Sequence, residues 1–344
     1  MNDYMGKLKR VLVIADPHIP IPPKGYGGTE RIVDLLCSEL QQKAYCVDLI
    51  AAKGSKTYGG KLYVHTAPTA NKWDRIYRKI LFQFILWRAL QKNTVIINYG
   101  RVDYLWLAYL KSIKILCVFE NPIAESEIQI IKKAKVAQIQ LAGISNNHIK
   151  GLDGVHVLYN GISVHQYKLK SSIQNDAYLA FLGRLTYNKG VDTAIRVATI
   201  TGMPLKIAGN ISKEEGGESF FAEQVQPYLN DRIQWVGEIN DAQKNDFLGN
   251  AFATLFPIRW EEPFGIVMIE SLACGTPVIA NHIGSVPEII EDGKNGFICN
   301  SESEMIAAIQ KVKEIDRTVC RTIVEEKFSG KSMVSAYLSL LELN

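Results

Sequence analysis

Short, largely apolar runs recur along this chain at regular intervals, and each is followed by a stretch with the period of a helix. Residues 10–15 read Arg-Val-Leu-Val-Ile-Ala, and comparable runs stand at 45–51, 62–65, 94–98, 113–119, 138–144 and 155–159. Continuous runs of this kind suit strands buried on both faces, as in parallel sheets. Between them, helical patterns cover 29–43, 71–92, 102–111 and 124–135, and a short helix is expected from Ser145. Strict β–α alternation predicts a parallel, doubly wound sheet. A polar stretch at 163–176 reads as a linker, after which the alternation restarts. Strands are expected at 178–183, 205–208, 233–236 and 253–257, and again beyond Gly275. Helices are expected from Val191, after Ser212, over 241–250 and from Gly265 to Gly275, with two or three more closing the chain. The last, 332–341, places Met333, Ala336, Tyr337 and Leu340 on one face. With 344 residues, 47% of them hydrophobic, the chain is long enough for two cores.

Charge and cysteines narrow the function classes. The net charge of +4 is too weak to argue for nucleic acid. The six cysteines show no ligand spacing and read as reduced core residues. No run of about 18 apolar residues appears, and residues 1–10 show no apolar signal region. A cytoplasmic protein is expected, with peripheral contact at the inner face of a membrane admitted through 71–92. That helix carries Trp73, Tyr77, Ile80, Phe84 and Trp87 on one face and Lys72, Arg75, Arg78, Lys79 and Arg88 elsewhere. Because Leu81, Phe82, Ile85 and Leu86 widen its apolar stripe, packing on the sheet with a solvated basic face is preferred.

Three loops carry chemistry. Asp16 to Glu30 contains Gly25, Gly27 and Gly28, which let the backbone approach a ligand before a helix. Gly25-x-Gly27-x-x-Glu30 has glutamate where a dinucleotide fingerprint needs its third glycine. Gly183-Arg184-Leu185-Thr186-Tyr187-Asn188-Lys189-Gly190 puts two cations around a strand-to-helix turn, where arginine can fork onto phosphate oxygens and lysine acts as a point charge. The string Arg259-Trp260-Glu261-Glu262-Pro263-Phe264-Gly265-Ile266-Val267-Met268-Ile269-Glu270, running on into Ala273-Cys274-Gly275-Thr276-Pro277-Val278, is the most specific. Glu262 sits just before the helix expected from Gly265 and Glu270 about a turn and a half inside it; at 1.5 Å per residue, eight positions span roughly 12 Å, comparable to a nucleotide sugar from ribose to hexose. The N–H groups at Phe264, Gly265, Ile266 and Val267 between them suit a diphosphate or sugar oxygens.

This string resembles the signature of the retaining glycosyltransferases of family four, which have the GT-B fold. Gly27-Gly28-Thr29-Glu30-Arg31 is similar to that family's loop against the donor phosphates and acceptor. Asn160-Gly161-Ile162 looks like its turn at the end of the first domain. Gly284-Ser285-Val286-Pro287-Glu288 and Asp292-Gly293-Lys294-Asn295-Gly296-Phe297 resemble its next helix and turn. The likeness covers nearly the whole chain and is densest over 178–300. It implies two Rossmann-like doubly wound domains facing a cleft, at 1–165 (acceptor side) and 166–328 (donor side), with a helix at 329–344 crossing back to the first. By the same resemblance, Glu262 touches hydroxyls of the transferred sugar, Glu270 holds the ribose, and Arg184 and Lys189 clamp the diphosphate. The activity implied is transfer, with retention, from a nucleotide sugar (a UDP-sugar before a GDP-sugar) to a hydroxyl acceptor, either a saccharide, a lipid-linked saccharide or a small molecule. Cell-surface polysaccharide or glycoconjugate synthesis is the setting. No metal or other cofactor is expected, since the two cations and the helix amides do the electrostatic work.

The chain departs from that pattern at one place. Family members often carry a histidine after the strand at 113–119, whereas this sequence has Glu120. Glu120 takes over a sugar hydroxyl, positions the acceptor or is uninvolved; His18 and His148 are the substitutes. Two alternatives stay open: a non-catalytic nucleotide-sugar-binding protein, and a nucleotide-sugar epimerase of the same fold.

Overall fold

A computed structural model describes residues 9–23, 25, 27–90, 94–110, 113–134, 138–173, 176–212 and 216–343. Residues 1–8, Lys24 and Tyr26 of the glycine loop, the expected helix ends at 92, 111 and 135, and positions 174–175 and 213–215 lie outside them.

The chain forms two compact units, one of Met1–Ile144, Ile149–Asn160 and Met333–Asn344, the other of Ser145–His148 and Gly161–Ser332. In the first, chain order is β1 (Arg10–Ile14), α1 (Gly28–Gln42), β2 (Cys46–Ala51), β3 (Gly59–Val64), α2 (Lys72–Ala89), β4 (Val95–Asn98), α3 (Trp106–Tyr109), β5 (Ile115–Phe119), α4 (Glu125–Ala134), β6 (Ile139–Gly143) and β7 (Val155–Val157). The strands are all parallel, in the order β3-β2-β1-β4-β5-β6-β7. Each apolar run therefore lies between neighbours, and β1, β2, β4 and β5 are almost wholly buried. Asp48, the one acid in β2, is buried but satisfied: it accepts from Arg10 at 2.6 Å and from the Lys61 N–H at 2.7 Å.

Three elements differ from expectation, each for a local reason. Residues 102–111 do not form one helix: a short turn at Val102–Tyr104 precedes the four-residue α3. The Gln83 side chain donates to the Tyr104 carbonyl at 2.6 Å and accepts from the Leu107 N–H at 3.3 Å, taking groups that a continuous helix would pair with each other's turns. Strand β3 starts at Gly59 rather than at 62, because a Cβ at Gly60 would lie 2.3 Å from the Val47 carbonyl oxygen and only glycine permits that approach. Helix α2 buries Phe82, Gln83, Leu86 and Ala89, leaving Trp73, Tyr77, Ile80, Phe84 and Trp87 exposed. Its solvated side is thus aromatic as well as basic.

The second unit continues with β8 (Tyr178–Leu182), α5 (Val191–Thr201), β9 (Leu205–Ala208), α6 (Gly217–Gln224), β10 (Ile233–Trp235), α7 (Asp241–Gly249), β11 (Ala251–Phe256), α8 (Ile266–Ala273), β12 (Val278–Asn281), α9 (Val286–Ile289), β13 (Gly296–Cys299), α10 (Glu302–Lys311), α11 (Arg317–Lys327) and α12 (Gly330–Leu340). Its six strands are parallel in the order β10-β9-β8-β11-β12-β13. Leu179, Phe181, Ile207, Leu255 and Ile279 of the sheet pack with Val191, Ile195 and Met305 of the flanking helices. Both units are thus Rossmann-like. In each, the strand order reverses beside the first strand, at β1/β4 and at β8/β11, and the loops leaving those strands are where such sheets bind ligands.

The end of α12 belongs to the first unit. Its buried residues are Met333, Val334, Tyr337 and Leu338, followed by Leu341, so the buried face is rotated from the expected one and Ala336 is exposed. Tyr337 and Tyr99 share a hydroxyl–hydroxyl hydrogen bond of 2.7 Å, and Tyr45 donates to the Leu343 carbonyl at 2.6 Å.

Candidate functional site

The loops after β8 and β11 are fastened to each other at the second unit's switch point. After β8 the chain runs through Arg184, half-buried, into a tight turn at Tyr187–Lys189 and then Gly190 at φ 76°. A Cβ at Gly190 would lie 2.0 Å from the Pro257 carbonyl oxygen, so the turn rests directly on the backbone leaving β11. Arg259 closes the joint. Its N–H donates to the Asn188 carbonyl at 2.8 Å, and its guanidinium forks onto both oxygens of Asp192 at 2.8 and 2.6 Å. Burial works to raise the Asp192 pKa, but the hydrogen bonds from Arg259 and Arg196 outweigh it and hold the carboxyl below its ordinary range. Two of the expected site residues, Lys189 and Glu262, are thereby brought together: Lys189 Nζ donates to Glu262 Oε2 at 2.5 Å, and Trp260 Nε1 donates to the same oxygen at 2.7 Å. Lys189 also lies 5.0 Å from the centre of the Trp260 ring.

The backbone around Glu262 is held from behind. Gly284, at φ 61°, leaves no room for a side chain, since a Cβ would stand 2.6 Å from the Glu262 nitrogen. The Ser285 N–H donates to the Glu262 carbonyl at 3.1 Å, and its hydroxyl donates to the Phe264 carbonyl at 2.7 Å. Ser145 donates to the Pro263 carbonyl at 2.6 Å, and Glu288 in turn accepts from the Asn146 and Asn147 N–H groups. These contacts place Ser145–His148 in the second unit and replace the helix expected there. Phe264 is buried against Phe328, and Gly265, at φ 79°, turns the chain into α8 with Ile266 at its first position. The half of the Glu262-to-Glu270 spacing from Ile266 onward is therefore helical, and Glu262 stands in the loop before it, as expected. The first-turn N–H groups of α8 point out of its N-terminus, as in any helix.

Glu270 sits on α8, 3% exposed. Its Oε1 accepts from Tyr167 at 2.8 Å and Lys244 at 2.7 Å. Its Oε2 is buried and has no partner among the described residues. A buried carboxylate oxygen without a donor is costly and points to a ligand hydroxyl or water that completes it. Burial, then the charge of Glu270, pushes the Tyr167 hydroxyl far above its usual range, so it stays a donor. Tyr167 and Lys244 reach Glu270 from distant parts of the sequence and leave no local signal. Arg259 opens the specific string but had no assigned role.

In the first unit, Gly27 caps α1 and is packed tightly against Pro23, while a Cβ at Gly28 would meet nothing within 4 Å. Glu120 follows β5; its Oε2 accepts from Asn160 Nδ2 at 2.7 Å, and its Oε1 is buried without a partner among the described residues. Burial raises its pKa to about 7, against the Asn160 hydrogen bond and helped by the charge of Glu30. Glu120, Glu30, Thr29, Asp16, Tyr99 and Arg101 line a cavity of ≈ 330 Å³ at the β1/β4 switch point. His18 is exposed at the cavity edge, 3.5 Å from Asp16, whereas His148 belongs to the second unit.

This architecture is that of the GT-B glycosyltransferases. Anabaena HepE, solved in complex with UDP and glucose, superimposes with a TM-score of 0.70 at 15% identity over 97% of this chain and 99% of its own. Residues 166–325 match the family model of the glycosyl transferases group 1. Among curated proteins, an uncharacterised 41.2 kDa protein in the cps region of Klebsiella pneumoniae is 26% identical over 284 residues, 78% of this chain and 71% of that protein. Glycogen synthase of Mycobacterium tuberculosis is 29% identical over 172 residues, 47% of this chain and 40% of the synthase, so less than half of that relative is spanned.

Proposed function

We propose that this glycosyltransferase moves a sugar from a UDP-sugar to a hydroxyl acceptor, with retention and without a metal, in cell-surface polysaccharide or glycoconjugate synthesis. The observation that carries the donor reading is Glu270: a buried carboxylate with one oxygen held by Tyr167 and Lys244 and the other open. That oxygen suits a ribose hydroxyl. Arg184, Lys189 and the amides from Phe264 to Ile266 take the diphosphate, and Glu262 takes hydroxyls of the transferred sugar. In this reading the bond from the anomeric carbon to the diphosphate breaks while the acceptor oxygen bonds on the same face. The acceptor proton passes to the departing phosphate oxygen, so the two glutamates bind rather than act as a glycosidase pair. Gly27, Gly28 and Glu120 serve the acceptor side, Glu120 hydrogen-bonding near the reacting sugar.

The complex of HepE with UDP and glucose supports the choice of base. The Klebsiella relative in a cps region supports the polysaccharide setting. Metal independence is supported by the cations Arg184 and Lys189 in the loops beside the donor site. A cytoplasmic location is supported by six free, buried cysteines. No described helix is long and apolar enough to cross a membrane.

The test is UDP release from a panel of UDP-sugars in excess EDTA, with the anomeric configuration of the product read by NMR. Release that persists in EDTA and a product of unchanged configuration are expected. Release restored only by added manganese or magnesium would remove metal independence, and an inverted product would remove retention.

A further inference from the structure

Helix α2 has an outer face that none of the described residues of the first unit covers. Trp73, Ile76, Tyr77, Ile80, Phe84 and Trp87 are all exposed, Trp73 by 77% and Ile80 by 65%. At 3.6 residues per turn these six fall within an arc of about 100°, opposite Phe82, Leu86 and Ala89, which anchor the helix inward. Phe84 and Trp87 stack on each other at 6.0 Å, so the patch is continuous along at least one turn. The helix itself is firmly seated, with Asn71 capping it, Gln83 bonded at both ends of its amide and Lys79 paired with Asp103.

Charge says what the face fits. Five basic residues against one acid give this 18-residue helix a net +4, equal to the net charge of the whole chain. The remaining residues are thus neutral overall; of the five cations of the helix, Arg75 and Arg78 lie away from the aromatic arc and three flank it. On the helical wheel Lys72 and Lys79 border one edge of the arc and Arg88 the other. Long cationic stems can then lie along the apolar face while their heads reach outward. Tryptophan, tyrosine and phenylalanine between two basic borders match the headgroup zone of a bilayer, with apolar rings in the acyl boundary and cations at anionic lipid phosphates.

We propose that the outer face of α2 lies in the headgroup region of an anionic lipid bilayer and seats the first unit on it. The helix lies on the membrane rather than crossing it, and this is independent of which donor or acceptor the enzyme uses.

Sedimentation of the full chain with phosphatidylcholine vesicles, with and without phosphatidylglycerol, tests this. Binding to the anionic vesicles alone is expected, with a blue shift of tryptophan emission and loss in high salt. Lys72→Gln with Arg88→Gln should weaken binding roughly 30-fold. Trp73→Ser with Trp87→Ser should abolish it at an unchanged melting temperature, and Ile80→Asp should do the same if the tryptophan variant fails to fold. Failure to sediment with anionic vesicles would overturn the proposal. So would equal binding to neutral vesicles that the charge variant leaves intact. Light scattering that finds a dimer dissolved by Ile80→Asp, with no lipid binding, would make the face an interface between copies instead.

Discussion

Lys189 and Glu262 are bound to each other: Nζ and Oε2 are 2.5 Å apart, and both side chains are mostly buried, at 15% and 13% exposure. The pair links the turn after β8 to the loop after β11. It also means that the cation proposed for the diphosphate is paired with the acid proposed for the sugar.

That pairing separates two variants that would otherwise look alike. Lys189→Ala removes a charge-assisted partner of the diphosphate and should weaken UDP binding by about 1–3 kcal/mol. Glu262→Ala frees Lys189, so affinity for UDP, which lacks the sugar, should hold or rise, while turnover of UDP-sugars falls. Calorimetric titration with UDP alongside UDP-release assays checks both. Equal loss of UDP affinity in the two variants would remove the sugar role of Glu262.

Glu270→Ala should weaken UDP by about 1–3 kcal/mol and leave inorganic pyrophosphate unchanged, because only UDP carries a ribose. Tyr167→Phe removes one donor to Oε1 and should cost about 0.5–1.5 kcal/mol in UDP affinity. A parallel loss for both ligands in Glu270→Ala would place that residue at the phosphates.

Two buried groups of the first unit should give opposing pH dependences. Glu120 is raised from 4.5 to about 7, first by burial. Between those values the unfolded chain has lost this proton and the folded one keeps it, so stability falls as pH rises. His65, buried with both ring nitrogens unpartnered among the described residues, is lowered from 6.5 to about 4, first by burial. In that window the unfolded chain gains a proton that the folded one refuses, so stability falls as pH drops. Each slope reaches at most about 1.4 kcal/mol per pH unit. The two oppose each other over the overlap from 4.5 to 6.5. Glu120→Gln should unmask loss of stability in acid, and His65→Gln loss of stability toward neutral pH. Urea midpoints measured across this range decide the matter; superimposable profiles for both variants and the parent would show that neither group titrates in this way.

Arg317 is 4% exposed and donates to the carbonyls of Lys170 at 2.6 Å, Gly249 at 2.9 Å and Ala251 at 3.0 Å. Replacing it with methionine fills the space but strands those carbonyls, at a cost of roughly 3 kcal/mol or more. For a unit of this size that is a drop in Tm of about 6–12 °C. A shift within about 1 °C would show that water takes over the carbonyls.

What could be read from the sequence follows from how local each signal is. The apolar runs that became β1, β5, β8 and β11 declare themselves within a few residues, and so does the string from Arg259 to Glu270. The parallel sheets follow from alternation alone. Contacts closed by distant side chains do not declare themselves. Nothing near Glu270 announces Tyr167 or Lys244, and the pairing of Arg259 with Asp192 spans two loops. Gln83 splitting 102–111 into two turns is the same kind of event, a long-range side chain capturing backbone groups that periodicity assigns to a helix. On α2 the pattern was visible but its direction was not. Periodicity finds a face without saying whether it turns inward.

Gly284 gives the loop after β11 an unusual kind of support. Glu262 owes its position partly to an atom that is missing: the space a methyl group would fill is occupied by its own backbone nitrogen. Alanine at 284, remote in sequence and carrying no functional group, would push directly on the residue proposed to read the sugar. Tolerance to substitution around this site will therefore not track chemical character. The mildest change at 284 is expected to disturb the proposed site as much as removal of one of its functional groups.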